Sequence, residues 1–304
     1  MRYRVDGGRC RDLRAGAIIL AGVLLLGGCA GMAGREQAAA VPAAPAPGIA
    51  DRTLDLAERA IAEGRVGDAK VLLDRLAVAG LESPRLELAQ GELQLALDQP
   101  KRALALFEAA SRAEDLAAPA LQGMGLALLR LGRTELALPK LAQAAKLDPA
   151  LWRAWNGLGV CHDRAGEFAE AEQAYGKALA IHPRSALIRN NRGFSRLMQR
   201  RTDEAMADLA EALRLSPNLK PAQENMRLAL AWKGDYESAI SGVHGREAST
   251  VLNNVGYIAM LRGDLESAES YLLRAMEASP SFDTAASRNL SYLKTLGRGA
   301  EKPQ

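Results

Sequence analysis

The chain has 304 residues, 48% hydrophobic and 25% charged, which excludes a wholly disordered polymer. Aromatic residues are only 4%, so Ala and Leu supply most of the apolar surface; both favour helices, and an all-β sandwich or barrel is ruled out. Residues 1–28 hold five of the 39 basic and two of the 36 acidic residues, so the net charge of +3 resides there, the rest balances at 34 of each, and no basic footprint for nucleic acid remains.

The N-terminus opens with Arg2, Arg4, Arg9, Arg11 and Arg14, then an apolar run from Ala15 to Leu26. Leu26-Gly27-Gly28-Cys29 follows. A charged start, a short apolar run and small residues before a cut are the parts of a secretory signal peptide. The final four residues resemble the lipobox of bacterial lipoprotein precursors. That resemblance implies cleavage before Cys29, acylation of its thiol, and a lipidated N-terminus at Cys29. Thioether formation needs a thiolate nucleophile, which only cysteine supplies. An uncleaved membrane helix is the competing reading, because residues 15–34 carry no charge and about 20 apolar residues span a bilayer. Six of those residues are glycine and the bulky run stops at Leu26, which favours cleavage. Either reading tethers the chain to a membrane. Ala30 after the cysteine, rather than Asp, resembles the pattern that sorts lipoproteins to the periplasmic side of the outer membrane. Of the three cysteines, Cys10 lies in the part removed and Cys29 takes the lipid, so Cys161 has no partner for a disulfide and reads as a small buried hydrophobe.

Residues 29–49 form a linker rich in Ala, Gly and Pro, with Pro42, Pro45 and Pro47 close together. It cannot bury a core, and at about 3 Å per residue its reach is at most about 60 Å.

From residue 50 the sequence repeats. Trp155, Leu158, Gly159, Gly166, Ala171, Tyr175, Ala178 and Pro183 match Leu121, Met124, Gly125, Gly132, Ala137, Leu141, Ala144 and Pro149 at a distance of 34 residues. A further step forward gives Gly193, Arg200, Ala205, Leu209, Ala212 and Pro217. This period and pattern resemble the tetratricopeptide repeat. The predicted fold is all-α, a superhelical solenoid of about seven helix-turn-helix units (helices A and B) plus a capping helix. Five units stay in register over 50–83, 84–117, 118–151, 152–185 and 186–219. Small residues such as Gly125, Gly159, Gly193 and Gly256 let helix A approach helix B, met by Ala137, Ala171, Ala205, Ala239 and Ala268. Gly132, Gly166, Gly234 and Gly263 fall at the inter-helix turn, where a positive φ is needed. Pro149, Pro183, Pro217 and Pro280 close the units.

The sixth unit, 220–248, is five residues short. Gly256 follows Arg227 by 29 residues, and Ser241-Gly242-Val243-His244-Gly245 is predicted to stop helix B early. A tolerated deletion and a local change of superhelical angle both fit. The seventh unit spans 249–282, and 283–304 holds a polar-faced capping helix over Thr284–Leu296 with a tail.

Catalytic patterns are absent from the sequence. His162, His182 and His244 lie far apart without metal-ligand spacing, and no phosphate loop, nucleophile elbow or CxxC pair occurs. The expectation is a non-enzymatic protein without cofactor or metal, whose partners are proteins and, through its anchor, a membrane.

In tetratricopeptide repeats the second, fifth, ninth and twelfth positions of helix A line the concave face. Carried over, these are Gln122 and Leu126; Arg153, Asn156, Val160 and Asp163; Asn190, Phe194 and Leu197; Glu224 and Leu228; and Asn253, Tyr257 and Met260. A partner-binding groove is expected at Asn156, Asn190, Phe194, Asn253, Tyr257 and Arg153. The amides can donate to and accept from a peptide backbone, and the two aromatics would be apolar anchors. Asparagine also recurs simply as a helix residue of such repeats. Glu172 is expected on the convex face, remote from this groove.

The repeat wording Trp155-Asn156-Gly157-Leu158-Gly159-Val160, Asn190-Asn191-Arg192-Gly193 and Asn253-Asn254-Val255-Gly256-Tyr257, behind a lipobox and a Pro-Ala linker, resembles the Flp (tight-adherence) pilus assembly lipoproteins of the TadD type. The resemblance implies a scaffold or pilotin-like factor for the pilus secretin at the outer membrane. Arg192 departs from it, standing where the repeat usually has an apolar residue. The alternative is a general envelope scaffold that recruits peptidoglycan enzymes or other secretion components.

Overall fold

The computed structural model describes residues 47–278 and 284–300, and within them every regular element is a helix. Cys29, the lipobox, most of the linker and Pro280 lie outside the described residues. Seven antiparallel A/B pairs follow in order: α1 (Pro47–Ala62) with α2 (Val66–Val78), α3 (Pro84–Ala96) with α4 (Pro100–Ala110), and α5 (Ala117–Arg130) with α6 (Thr134–Leu147). Then come α7 (Trp152–Ala165) with α8 (Phe168–Ile181), α9 (Ala186–Met198) with α10 (Thr202–Leu215), α11 (Lys220–Lys233) with α12 (Tyr236–Ile240), and α13 (Arg246–Leu261) with α14 (Leu265–Glu277). A last helix, α15 (Thr284–Ala300), closes the stack. The first helix starts at Pro47, inside the predicted linker, because a proline in the first turn gives up only an amide that has no helical partner.

In five of the seven pairs the B helix packs one large side chain against a glycine of an A helix, and the glycine makes the room. Phe107, fully buried, would lie 2.6 Å from a Cβ at Gly91 and 2.5 Å from one at Gly123 in the next unit. Leu141 stands likewise 2.4 Å from a Cβ at Gly125 and 2.9 Å from one at Gly157. Tyr175 does so at Gly159, Leu209 at Gly193 and Leu272 at Gly256. Ala137, Ala171, Ala205, Ala239 and Ala268 are fully buried, as the spacing predicts. The core is therefore a row of apolar clusters, most of them bridging neighbouring units, as in other solenoids.

The turn between A and B keeps a positive φ even where glycine is replaced: Asp98 has φ 56° and Arg200 φ 62°. Tertiary packing imposes that geometry on Arg200, whose guanidinium lies 3.5 Å from the centroid of the Trp232 ring, a cation–π contact that offsets part of the strain.

In the sixth unit α12 is only five residues long. Arg227 occupies the place where α3, α5, α7, α9 and α13 have glycine, and its Nη1 donates to the carbonyls of Ala239 and Ser241, at 2.7 and 2.8 Å. The deletion removed the large B-helix residue, and an arginine stem fills the gap while its head satisfies the carbonyls of the shortened helix.

Candidate partner-binding groove

Counting each A helix from residues 118, 152, 186, 220, 249 and 284, the ninth position reads Leu126, Val160, Phe194, Leu228, Tyr257 and Tyr292. The first five side chains are half-buried and Tyr292 is 55% exposed. The second and thirteenth positions extend the same face, with Leu187 47%, Met198 49%, Leu261 46% and Leu296 40% exposed. Five of the large exposed apolar side chains thus share the concave-facing positions of α9, α13 and α15. Exposed apolar side chains gathered on neighbouring helices make this face the candidate interaction surface. Phe194 and Tyr257 stand half-buried at the ninth position of their helices, and Leu187, Met198, Leu261 and Tyr292 were not included in the groove expected from the sequence. Leu187 was findable, since it stands at the second position of its helix. Tyr292 lies on the capping helix α15, which continues the register of the A helices.

The asparagines have a different task. Asn191 Nδ2 donates to Asn156 Oδ1 at 3.1 Å, Asn225 Nδ2 to Asn190 Oδ1 at 3.0 Å, and Asn289 Nδ2 to Asn253 Oδ1 at 2.9 Å. Asn190 Nδ2 also donates to Asn191 Oδ1, at 3.2 Å. Asn156 and Asn190 are only 7% and 5% exposed, so their amides stitch each A helix to the next one. Gln122 does similar work one unit earlier, its Oε1 accepting from the Ala154 amide at 3.1 Å. Arg153 grips Glu92 with Nη1 2.9 Å from Oε2, bridging α7 to α3 two units away. Leu197 and Met260 are buried, as is Asp163, whose carboxylate accepts from Tyr175 Oη at 2.7 Å and Ser195 Oγ at 2.6 Å. Burial pushes the Asp163 carboxyl up, against those two hydrogen bonds, which lower it. The twelfth position therefore points inward.

Glu172 is not the inert convex residue expected. It pairs with Arg196 Nη2 at 2.5 Å and with Arg201 Nη1 at 3.4 Å. Arg196 also contacts Asp208, whose side chain is 3% exposed and which takes Arg189 and, in a bidentate pair at 2.7 and 2.8 Å, Arg192. Arg192 thus replaces an apolar contact by a fork onto a buried carboxylate, which raises its pKa. Cys161 is buried, and desolvation lifts its thiol to about 11, consistent with an inert packing role. Among the described residues no group of three or more His, Cys, Asp or Glu is placed to hold a metal, and no helix is long and apolar enough to cross a membrane.

A stack of A/B pairs with an apolar concave face defines a tetratricopeptide-repeat superhelix, a scaffold for protein–protein interaction. Models of the tetratricopeptide repeat match residues 123–186, 162–220 and 249–282, so those stretches are tetratricopeptide repeats. It is similar to the Type IV pilus assembly protein PilF of Pseudomonas aeruginosa, 36% identical over 107 residues, which are 34% of this chain and 42% of that one. It is also similar to the Inactive TPR repeat-containing thioredoxin TTL3 of Arabidopsis thaliana, 33% identical over 76 residues, 25% of this chain and 11% of that one. The matched stretch spans less than half the length of either relative. Among solved structures, the APC/C hetero-tetramer Cut9-Hcn1 aligns with a TM-score of 0.62 and 19% identity over 80% of this chain and 48% of that one. A tetratricopeptide repeat protein from Parabacteroides merdae aligns with a TM-score of 0.50 and 16% identity over 81% of this chain and 98% of that one. At these identities the two structures speak for the fold.

Proposed function

We propose that the protein is a lipid-anchored scaffold on the periplasmic side of the outer membrane that assists pilus assembly by holding an apolar segment of an assembly component in the groove of α9 to α15. The observation that carries this reading is the unbroken apolar ninth-position column with its exposed flanks at Leu187, Met198, Leu261 and Leu296. The pilus context rests on the likeness to PilF, and the Flp (tight-adherence) system with its secretin rests on the TadD-type wording of the repeats. The anchor rests on the lipobox at Cys29. A scaffold bound this way needs no reacting group, only a partner with apolar side chains at a matching pitch. Neighbouring A helices packed at about 8–10 Å would meet one residue in three of an extended segment at about 3.3 Å per residue.

The test is Phe194→Ala with Tyr257→Ala in a strain that assembles pili. Loss of anchor residues costs interfaces about 2 kcal/mol or more, roughly thirtyfold in affinity. Secretin multimers and surface pili should fall while helical content and membrane fractionation stay unchanged. Wild-type levels of both refute the groove. Cys29→Ser should leave unprocessed precursor and remove outer-membrane fractionation; normal processing refutes the anchor.

A further inference from the structure

Glu224 stands apart on the concave face. Across the second, fifth, ninth and thirteenth positions of α9, α11 and α13 it is the single Asp, Glu, Lys or Arg; the next charge on that face is Arg288, at the fifth position of α15. Glu224 also falls where the amide ladder is broken. Asn191 bonds back to Asn156, Asn225 to Asn190 and Asn289 to Asn253, each from the sixth position of one unit to the fifth of the unit before. The intervening rung would run from Asn254 to Glu224, and among the described residues it is not formed. The break lies at the shortened sixth unit, whose B helix has five residues. Asn156 and Asn190, at formed rungs, are buried, whereas Glu224 is exposed and Asn254 half-buried. One turn beyond Glu224 on the same face of α11 is the half-buried Leu228, and Phe194 and Tyr257 hold the matching position on α9 and α13. A carboxylate thus interrupts the apolar face at its middle helix.

We propose, building on the groove reading above, that Glu224 selects a lysine or arginine in the bound segment, flanked by apolar residues that meet Phe194 and Tyr257. The aliphatic stem of that cation lies along Leu228 and its head reaches the carboxylate one turn away, where the Asn254 side-chain oxygen is a second acceptor. Charge complementarity singles out this occupant. A wholly apolar segment laid over Glu224 would strip water from an unpaired carboxylate, and an acidic one would add repulsion. The groove then reads charge as well as apolar pitch, and it does so at the one rung that the ladder leaves unused.

Synthetic peptides test this on the full chain purified in detergent. The probe has leucine at every third residue with one central leucine replaced by lysine, and its counterparts carry norleucine or glutamate there. By fluorescence anisotropy the lysine peptide should bind about tenfold more tightly than the norleucine one, the difference expected of one charged hydrogen bond, and the glutamate peptide should bind most weakly. Glu224→Gln should erase the preference, and Glu224→Lys should reverse it in favour of the glutamate peptide. Phe194→Ala with Tyr257→Ala should weaken all three alike. Equal affinities for the lysine and norleucine peptides, or a lysine preference that survives Glu224→Gln, overturn this inference and leave the groove reading in place. Failure of every peptide to bind the wild-type protein overturns both.

Discussion

Gly159→Ala places a single methyl where the structure has no space for one. Its Cβ would stand 2.5 Å from Tyr175 Cε1 and 2.7 Å from both Cδ1 and Cζ. A carbon–carbon contact normally settles near 3.5–4.0 Å, so the ring must retreat by about 1 Å. It cannot do so freely, because Tyr175 is 1% exposed and its hydroxyl is held by the buried Asp163 at 2.7 Å. Overpacking costs about 1–3 kcal/mol. Stretching a hydrogen bond to a carboxylate adds up to about 1.5–3 kcal/mol. Against this, replacing a mid-helix glycine by alanine gains about 1 kcal/mol in helix propensity. With the hydrogen bond stretched, the balance is a loss of about 1.5–5 kcal/mol. Gly176→Ala on α8 is the control, because nothing lies within 4 Å of its Cβ and only the propensity gain remains. Urea unfolding followed by far-ultraviolet circular dichroism measures both. Since units couple through their neighbours, the Gly159→Ala transition should also broaden or split. A Gly159→Ala midpoint equal to or above wild type refutes the packing argument, and a Gly176→Ala variant that is equally damaged shows that the loss is not specific to the contact.

Asp208→Ala leaves Arg189, Arg192 and Arg196 facing one another without their shared carboxylate, and should cost about 3–5 kcal/mol in the same assay. Glu172→Ala should cost less than Asp208→Ala, because Glu172 is more exposed, yet it should be measurably destabilising rather than silent. The pH dependence follows from Asp163. Burial raises its folded-state pKa, so the native state binds this proton more tightly than the unfolded chain does, and the contribution of Asp163 to stability falls as pH rises above about 4, the ordinary carboxylate value, until it levels off above the raised one. Asp163→Asn should remove that slope from unfolding midpoints measured between acid and neutral pH; an unchanged slope refutes the assignment.

The repeat was legible because its physics is local in sequence. A glycine that admits a B-helix side chain, an alanine opposite it and a proline after it recur at fixed spacing, and the structure uses Gly159, Ala171 and Pro183 for those purposes. The shortening of the sixth unit was legible by counting, but not its repair, because an arginine that reaches carbonyls 12 and 14 residues onward carries no periodic signal. The groove was half legible. Phe194 and Tyr257 followed from position alone. Asn156 and Asn190 did not, since whether an amide faces a ligand or the next helix depends on what stands at the sixth position of the following unit, and that becomes evident only when Asn191 and Asn225 are seen to reach back. Glu172 was misplaced for a related reason: its partners Arg196 and Arg201 lie 24 and 29 residues away, on the next unit.

The sixth position also explains why the apolar face is exposed toward the C-terminal end. In units three and four it is Gly123 and Gly157, and the glycines let Phe107 and Leu141 drive between neighbouring A helices. From unit five onward it is Asn191, Asn225, Asn254 and Asn289, and three of these bond to the fifth position of the A helix before them. The stitching between A helices thus changes from apolar interdigitation to directional amide bonds. The ninth-position side chains pack against core clusters in both halves, Leu126 and Val160 on one cluster and Leu228 and Tyr257 on others, so the change shows at the second and thirteenth positions. An amide bond fixes the register of two helices without drawing large side chains into the seam, so apolar residues placed there are left outside it. Leu187, Met198, Leu261 and Tyr292, all 46–55% exposed, lie in the part of the stack where that change has occurred. The amide ladder therefore holds the A helices in register, while the apolar residues of the second and thirteenth positions stay exposed.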